Sequence, residues 1–171
     1  MISILVAYTK NKRIIGSKGR IPWNLPSERN RFKAICQNKQ ILMGRRSFEE
    51  IGHGLPYCTI IIISKTLKTA PEGCLLAHSL EEGIKIAKSS IILADSHKGD
   101  LEEILIAGGA EIYTQALAMT ETKKVYATEI DADFEGDVYF PKLEGKWAME
   151  EEATKSENNI TYKYVTYFKE N

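Results

Sequence analysis

The chain has 171 residues, a length typical of one domain, which holds about 100–200 residues. A hydrophobic fraction of 43% and a charged fraction of 27% exclude a disordered segment, a collagen-like fibre and a coiled coil. Lys and Arg total 23 and Asp and Glu total 23, so the overall charge favours neither nucleic acid nor acidic lipid as a partner. We therefore expect residues 1–171 to form a single soluble domain, with a monomer as the default state.

The cysteines and the apolar runs indicate the compartment. Cys36, Cys58 and Cys74 are odd in number and form no CxxC pair, which favours free thiols in a reducing cytoplasm over disulfides or a zinc site. No apolar run approaches the roughly 18 residues of a membrane span, and the amino terminus lacks the pattern of an export signal. The three histidines lack metal-ligand spacing, so we predict neither a metal nor a membrane partner.

Short apolar runs predict β-strands along the chain. In chain order they cover residues 1–8, 41–43, 59–64, 74–77, 91–93, 103–106, 123–130 and 160–168. Several of these runs are nearly all apolar, as central strands covered on both faces are. In the last run, Ile160, Tyr162 and Tyr164 alternate with the polar residues Thr161 and Lys163, which fits an antiparallel edge strand or meander.

Two helix starts and one loop complete the predicted elements. Ser27 is placed to cap a helix that continues through Gln37, and Ser79 with Glu82 forms a capping box ahead of an apolar stripe. The polar residues 95–100 predict an exposed loop. Because strands and helices alternate early and the chain ends in strands, we predict an α/β sheet of about eight strands with an antiparallel carboxyl-terminal portion.

One carboxylate lies on the apolar face of the first predicted helix. Glu28, Phe32, Ile35 and Cys36 follow the i, i+4, i+7, i+8 spacing that places them on one side. A buried carboxylate either has a raised pKa or finds a cationic or hydrogen-bonding partner, which makes Glu28 a candidate functional group. The alternative is a surface glutamate that stabilises the first helical turn through the helix dipole.

Two further segments could bind phosphate. An apolar strand runs into Gly108 and Gly109 and then into a helix, a junction that exposes backbone amides to a pyrophosphate, although any tight turn there also requires small residues. Arg45 and Arg46 follow another strand, and Ser64 and Lys65 follow a third, so charged groups could collect a phosphate monoester. The alternative is a solvated basic turn, most plainly for Arg46.

Taken in this order, the segments resemble dihydrofolate reductases over nearly the whole chain. The motifs are Ile15-Gly16, Ile21-Pro22-Trp23-Asn24-Leu25-Pro26, Phe32-Lys33, Met43-Gly44-Arg45, Ile51-Gly52, Leu55-Pro56, Gly108-Gly109, Ile112-Tyr113, Glu135-Gly136-Asp137 and Phe140-Pro141. The resemblance implies a three-layer α/β fold with a central mixed eight-stranded sheet flanked by helices. It also implies hydride transfer from NADPH to 7,8-dihydrofolate, which yields tetrahydrofolate for one-carbon metabolism and thymidylate synthesis, and possible binding of antifolates such as trimethoprim.

The resemblance also assigns residues to roles. Glu28 corresponds to the carboxylate that hydrogen-bonds the pterin, Thr128 to its bridging neighbour, and Trp23 to the residue that holds a water and closes the mobile loop, which Asp137 stabilises. The implied substrate residues are Leu5, Val6, Ala7, Glu28, Arg29, Phe32, Ile51, Leu55, Ala107, Tyr113 and Thr128. The implied cofactor residues are Ala7, Ile15, Gly16, Ile21, Gly44, Arg45, Arg46, Ser47, Ser64, Lys65, Gly108, Gly109, Ala110, Glu111, Ile112 and Tyr113.

Four positions depart from the family pattern. Cys58 stands where the family has an arginine for the folate α-carboxylate, and Arg29 stands where an apolar or amide residue faces the aminobenzoyl ring. We hypothesise that Arg29, with Arg31 and Lys33, attracts the glutamate tail instead. Ala107 replaces a larger aliphatic residue, and Glu111 stands where a basic residue sometimes supports the 2′-phosphate.

These departures leave two alternatives to dihydrofolate reduction. The first is a related NADPH-dependent reductase of a pterin or other heterocycle without a glutamate tail, which Cys58 and Ala107 favour. The second is a non-catalytic folate- or nucleotide-binding homologue. Retention of Trp23, Glu28 and Thr128 argues against the second, because binding alone does not require a buried carboxylate beside a hydride path.

Overall fold

A mixed β-sheet of nine strands forms the centre of the structure, a computed structural model that describes residues 1–93 and 103–170. Its strands are β1 (Ile2–Thr9), β3 (Gln40–Gly44), β4 (Thr59–Ile63), β5 (Cys74–Ala77), β6 (Ile104–Ile106), β7 (Thr122–Asp131), β9 (Trp147–Glu151), β10 (Lys155–Glu157) and β11 (Ile160–Lys169). Two short strands, β2 (Ile14–Gly16) and β8 (Val138–Tyr139), pair with each other outside this sheet.

The sheet has a parallel part and an antiparallel part. Strand β1 lies between β6 and β7 and runs parallel to both. Beyond β6 the order continues through β3, β4 and β5, again in parallel. On the other side β11 is antiparallel to β7, β9 and β10. The predicted mixed sheet with an antiparallel carboxyl-terminal portion is therefore confirmed.

Helices cover both faces of the sheet. They are α1 (Pro26–Cys36), α2 (Arg45–Ile51), α3 (Leu80–Leu93) and α4 (Ala110–Ala118). Side chains of β3 alternate between the two faces, as a strand requires. Leu42 belongs to the same core cluster as Ile84 of α3, whereas Met43 clusters with Cys36 of α1 and Phe48 of α2. The three-layer arrangement implied by the resemblance is thus present.

The predicted strand at residues 91–93 is wrong, because these residues end helix α3. Ile84, Ala87 and Ile91 follow one another at i, i+3 and i+7 and pack in one cluster, so the apolar stripe of the helix continues to its end. A run of three apolar residues cannot distinguish a strand from a buried helical turn. The predicted loop at residues 95–100 lies outside the described residues.

The two predicted helix starts differ in outcome. Ser27 does not cap α1, because the helix begins at Pro26 with Leu25 as the N-cap and without a side-chain cap. Proline suits the first helical position, since its missing N–H would have no partner there. Ser79 does cap its helix, as its Oγ accepts a hydrogen bond of 3.1 Å from the amide of Glu82. The Glu82 carboxylate in turn accepts from the amide of His78 at 2.7 Å.

The expected eight strands become nine in the main sheet, because the strand predicted at residues 91–93 is helical and two strands, β9 and β10, were not predicted. Both strands are short and mostly exposed, and both pair with the long strand β11. A short strand in which apolar and polar residues do not alternate has no pattern to reveal it. Among the described residues, no helix is long and apolar enough to cross a membrane.

Candidate active site

A cleft of about 590 Å³ opens beside the carboxyl ends of the parallel strands. Its lining includes Ala7 from β1 and Ala107, which directly follows β6. In an open sheet with parallel strands, ligands bind where the chain leaves these strand ends. The topology therefore places this cleft where an α/β protein is expected to hold its ligands.

Most residues predicted for the substrate line the cleft. They are Leu5, Val6, Ala7, Glu28, Arg29, Phe32, Ile51, Leu55, Ala107 and Tyr113, whereas Thr128 does not line it. Trp23 also lines the cleft. The structure thus brings together residues from four separate predicted motifs at one apolar surface.

The residues predicted for the cofactor fall into two groups, those in the cleft lining and those outside it. Those in the cleft lining are Ala7, Ile15, Ile21, Ser47, Gly108, Gly109 and Tyr113. Those outside the lining are Gly16, Gly44, Arg45, Arg46, Ser64, Lys65, Ala110, Glu111 and Ile112. Most of the second group lies at the ends of β3 and β4 or in the first turns of α2 and α4.

The carboxylate of Glu28 enters the cleft from the first turn of α1. Its apolar neighbours in the lining include Leu5, Phe32 and Ile51. Burial raises the pKa of Glu28 above its usual value, and the positive charges of Arg31 and Arg29 partly oppose that rise. Glu28 therefore faces the cleft as a partly desolvated acid, and does not lie in open solvent.

Thr128 and Arg31 contact each other, and the positive charge of Arg31 acts on Glu28. Thr128 is fully buried on β7, and its Oγ1 accepts a hydrogen bond of 3.3 Å from Nη1 of Arg31. Nη1 also lies 3.3 Å from the carbonyl oxygen of Ala127, and the guanidinium stacks 4.1 Å from the ring centroid of Tyr164. The contact of Thr128 with Arg31 was not predicted, and the bridge from Thr128 to the carboxylate that the resemblance implies stays a prediction.

The loop between β2 and α1 is held over the cleft at three points. The amide of Asp137 donates to the carbonyl oxygen of Gly16 at 3.1 Å, and the amide of Lys18 donates to Oδ1 of Asp137 at 3.3 Å. Farther along, the amide of Ile21 donates to Oε1 of Glu50 at 2.6 Å. The loop is therefore tied both to the segment before β8 and to helix α2.

The glycine turn after β6 brings backbone close to α2. The peptide bond between Gly108 and Gly109 is cis, and Gly108 has a φ of +111°. A Cβ at Gly108 would lie 2.8 Å from Oγ of Ser47, so only glycine fits. The amide of Gly44 donates to the carbonyl oxygen of Gly108 at 2.8 Å, which joins the two glycine-containing strand ends.

Helix α4 begins at this turn with its amino terminus uncapped by a side chain. Gly109 is the N-cap, and no side-chain hydrogen bond satisfies the first turn in the described structure. Free amides and the helix dipole favour a negative charge at such a position. The pyrophosphate site predicted at this turn stays a prediction, and Glu111 in the same turn is acidic.

Charged and hydroxyl side chains collect at the ends of β3, β4 and β5. Arg45 is exposed and pairs with Glu49 through Nε at 2.6 Å, whereas buried Ser64 accepts a hydrogen bond from the amide of Leu67 at 3.1 Å. His78, which the sequence analysis did not assign, hydrogen-bonds through Nδ1 to the carbonyl oxygen of Ser64 at 2.9 Å. Because these strands are adjacent and parallel, their carboxyl ends bring these groups to one edge.

Cys58, the residue that departs from the family pattern, follows a residue of the cleft lining. Cys58 does not line the cleft, and burial raises the pKa of its thiol to about 11, so the thiol is neutral at physiological pH. Tyr57 lines the cleft, and Nζ of Lys33 lies 5.4 Å from its ring centroid. Arg29 lines the cleft too, and its Nη1 donates to Oδ1 of Asn24 at 2.9 Å.

Sequence reasoning missed four lining residues: Leu25, Glu50, His53 and Tyr57. One of them had a usable signal, because Glu50 follows Ser47 by three residues on α2 and so shares its helix face. Arg31 likewise follows Glu28 by three residues on α1 and had been considered only for a glutamate tail. Examining the positions three residues from each assigned residue on the same helix would have found both Glu50 and Arg31.

Comparison with known proteins gives one consistent result. The family model described as dihydrofolate reductase matches residues 1–169. The chain is 33% identical to "Dihydrofolate reductase" of Bacillus subtilis, with 100% of this chain and 96% of that protein aligned. It is 32% identical to "Dihydrofolate reductase type 3" of Salmonella typhimurium (97% of each chain) and 33% identical to "Dihydrofolate reductase type A13" of Escherichia coli (98% and 94%).

Proposed function

This chain belongs to the dihydrofolate reductase family, and on that premise we propose that it reduces 7,8-dihydrofolate to tetrahydrofolate with NADPH as the hydride donor. The observation that carries the proposal is a partly desolvated carboxylate, Glu28, in an apolar cleft that also contains the Gly108–Gly109 turn. One cleft thus offers a polar anchor for a heterocycle and a backbone surface for a pyrophosphate.

The residues at the glycine turn suit a dinucleotide. Gly108 leaves no room for a Cβ beside Ser47, so backbone and ligand can approach closely there, and the uncapped start of α4 favours an anion. Arg45 and Lys65 supply exposed positive charge beyond it for a further phosphate, which supports NADPH over NADH. The cofactor, when bound, supplies the hydride that the reduction requires.

Glu28 orients the substrate in this proposal. Its carboxylate accepts hydrogen bonds from the amidine edge of the pterin, while Phe32 and Ile51 pack on the substrate rings. A negative charge at that position also raises the basicity of the pterin N5, which gains a proton from water. Trp23, buried beside Phe134 in an edge-to-face contact of 5.7 Å, supports the loop that covers the reaction.

The remaining expectations are part of the same proposal. We take residues 1–171 as one domain that acts as a monomer with small-molecule ligands, and the cleft as the binding site for antifolates. All three cysteines are free thiols, which supports a reducing compartment such as the cytoplasm. No nucleic-acid or membrane partner is proposed.

The test is loss of NADPH absorbance with the purified chain, comparing dihydrofolate with dihydropterin. We expect faster turnover of dihydrofolate, because binding energy from the tail supports orientation at the reacting ring. Replacing Glu28 by Gln (E28Q) should lower kcat/KM for dihydrofolate about 100-fold or more, since the amide cannot supply the charge. Turnover of dihydropterin equal to or better than that of dihydrofolate would favour the related reductase, to which Cys58 points.

A binding assay separates the non-catalytic alternative. If neither substrate is reduced while NADPH still quenches the tryptophan fluorescence of the chain, the chain binds its ligands without catalysis. An unchanged kcat/KM in E28Q would contradict the role of Glu28 but leave the family assignment intact. Matching thermal unfolding of E28Q and the parent chain is the control for folding.

A further inference from the structure

We propose that Arg31, which lies outside the cleft lining, is a positioning residue whose fixed positive charge acts on Glu28 and whose hydrogen bond orients the hydroxyl of Thr128. The inference rests on the proposed function, because it takes Glu28 as the carboxylate that orients the pterin. It adds a residue that acts on the reaction through two neighbours, without contact with either ligand. We assign Arg31 this positioning role because its side chain is occupied by contacts with the protein.

The side chain of Arg31 makes three contacts with two strands. Its Nη1 lies 3.3 Å from both Ala127 O and Thr128 Oγ1, on strand β7. Its guanidinium carbon lies 4.1 Å from the ring centroid of Tyr164, on strand β11. A cation that is hydrogen-bonded to one strand and stacked on the next cannot swing out to solvent to meet a substrate tail. Arg31 is therefore part of the support for the cleft.

Helix geometry brings this fixed charge near Glu28. The two residues are three positions apart on α1, so their side chains are neighbours on one helix surface. Both are half-buried, where water screens a charge less than it does at an exposed pair. Of the two arginines that act on Glu28, Arg31 has the larger effect on its pKa and Arg29 the smaller one, in each case downward.

The other titratable groups around the pair do not cancel this effect. Those that interact with Arg31 are Tyr164, Glu152, Glu28 and Tyr126, and those that interact with Glu28 besides the two arginines are Tyr113, Tyr164 and Cys36. Burial raises the pKa values of Tyr113 and Cys36, and burial likewise raises the pKa of Tyr164 to about 12. These groups are therefore neutral at physiological pH. Glu152 is exposed and pairs with Lys155 at 3.9 Å.

The contact with Thr128 adds a second effect. A threonine hydroxyl has one proton to donate, and here its oxygen accepts from a cation. Accepting a charge-assisted hydrogen bond makes the same hydroxyl a stronger donor. Arg31 thus holds Thr128 in one rotamer with its proton available for a second hydrogen bond.

The experiment measures the titration of Glu28 directly. The full chain is labelled with ¹³C at the glutamate carboxyl carbons, and the resonance missing from E28Q is assigned to Glu28. In Arg31→Met, which keeps an apolar stem against Tyr164 but removes the charge, we expect the proton affinity of Glu28 to rise about tenfold. Arg31→Lys should retain most of the parent titration, because the positive charge remains.

Arg29→Met is the matched control. Arg29 is exposed and bound to Asn24, so removing its charge should change the proton affinity of Glu28 less than removing that of Arg31. Arg31→Gln, which keeps hydrogen-bond donors without charge, replaces Arg31→Met if the latter does not fold. Thermal unfolding of each variant is measured alongside.

The outcomes separate this inference from the proposed function. An equal or larger change in Arg29→Met, or no change in both uncharged Arg31 variants, overturns the role of Arg31. These titrations are independent of turnover, so they can support Arg31 even where E28Q keeps full activity and the proposed role of Glu28 fails. Conversely, loss of activity in E28Q with an unshifted titration in Arg31→Gln leaves the proposed function standing without this inference.

Discussion

The two ends of the cleft are built in different ways. The substrate end, which contains Glu28, Phe32 and Ile51, is formed by side chains from two helices around one carboxylate. The phosphate end, as we propose it, is formed by the backbone of the Gly108–Gly109 turn, and the exposed cation Arg45 lies beyond the cleft lining. In our proposal, ligand binding at the substrate end depends on a charge in a partly desolvated setting. Ligand binding at the phosphate end depends instead on close approach of the backbone.

The largest expected effect comes from adding a methyl group at the phosphate end. Gly108→Ala places a Cβ 2.8 Å from Oγ of Ser47 at a φ of +111°, so the turn must shift. We expect NADPH to bind about 100-fold more weakly, because strain of about 1–3 kcal/mol falls on the backbone that receives the ligand. Fluorescence titration with NADPH measures this change.

Gly145→Ala is the control for that substitution. Gly145 has a similarly positive φ of +84°, but nothing lies within 4 Å of its added Cβ. This variant therefore carries the backbone cost without the close contact, and its NADPH affinity should match that of the parent chain. If both variants bind NADPH as the parent does, the glycine turn is not the phosphate cradle, and the contrast between the two ends is lost.

A smaller effect is expected for a charge at the rim of the substrate end. Arg29 lines the cleft near Tyr57, so Arg29→Ala should raise KM for dihydrofolate about fivefold by removing a partner for the glutamate tail. KM for dihydropterin, which has no tail, should change much less. Steady-state kinetics with both substrates gives the comparison.

Lys33→Ala tests whether another cation serves the tail. Lys33 lies over the ring of Tyr57 and does not line the cleft, so its removal should affect KM for dihydrofolate less than removal of Arg29. An unchanged KM in Arg29→Ala would count against Arg29 as the substitute for the arginine that Cys58 replaces. A larger effect in Lys33→Ala would move that role to Lys33.

The two ends also differ in how far the sequence predicted them. At the substrate end, helical spacing alone placed Glu28 and Phe32 on one face, and both line the cleft. The bridging role implied for Thr128 stays a prediction, whereas its contact with Arg31 of helix α1 was not predicted. Spacing along one helix is fixed by local geometry, whereas a contact between a helix and a strand depends on how the layers pack.

At the phosphate end, the order of strands in the sheet, and not spacing along one helix, determines which groups lie together. The apolar runs predicted the parallel strands well enough to indicate the positions of Arg45 and Ser64. His78 went unassigned because its proximity to Ser64 depends on β4 and β5 being neighbours in the sheet. The exposed strands β9 and β10 were missed for a related reason, since pairing with β11 and not their own composition makes them strands.

The smallest expected effect comes from weakening the attachment of the loop that covers the cleft. Glu50 accepts a hydrogen bond of 2.6 Å from the amide of Ile21, which ties the loop to helix α2. Glu50→Ala should expose that amide and lower kcat/KM about threefold, because one exposed hydrogen bond to a charged group contributes little. Glu50→Gln keeps a carbonyl acceptor at the same place and should behave more like the parent chain.

Amide hydrogen exchange at Ile21 is the direct measurement of that tie. We expect faster exchange in Glu50→Ala and near-parent exchange in Glu50→Gln, with the amide of Asp137 protected in both because it bonds to Gly16 and not to α2. Faster exchange at both amides would show that the loop opens as one unit. Unchanged exchange at Ile21 would instead mean that Glu50 does not hold the loop, and that its contacts near β8 suffice to cover both ends of the cleft.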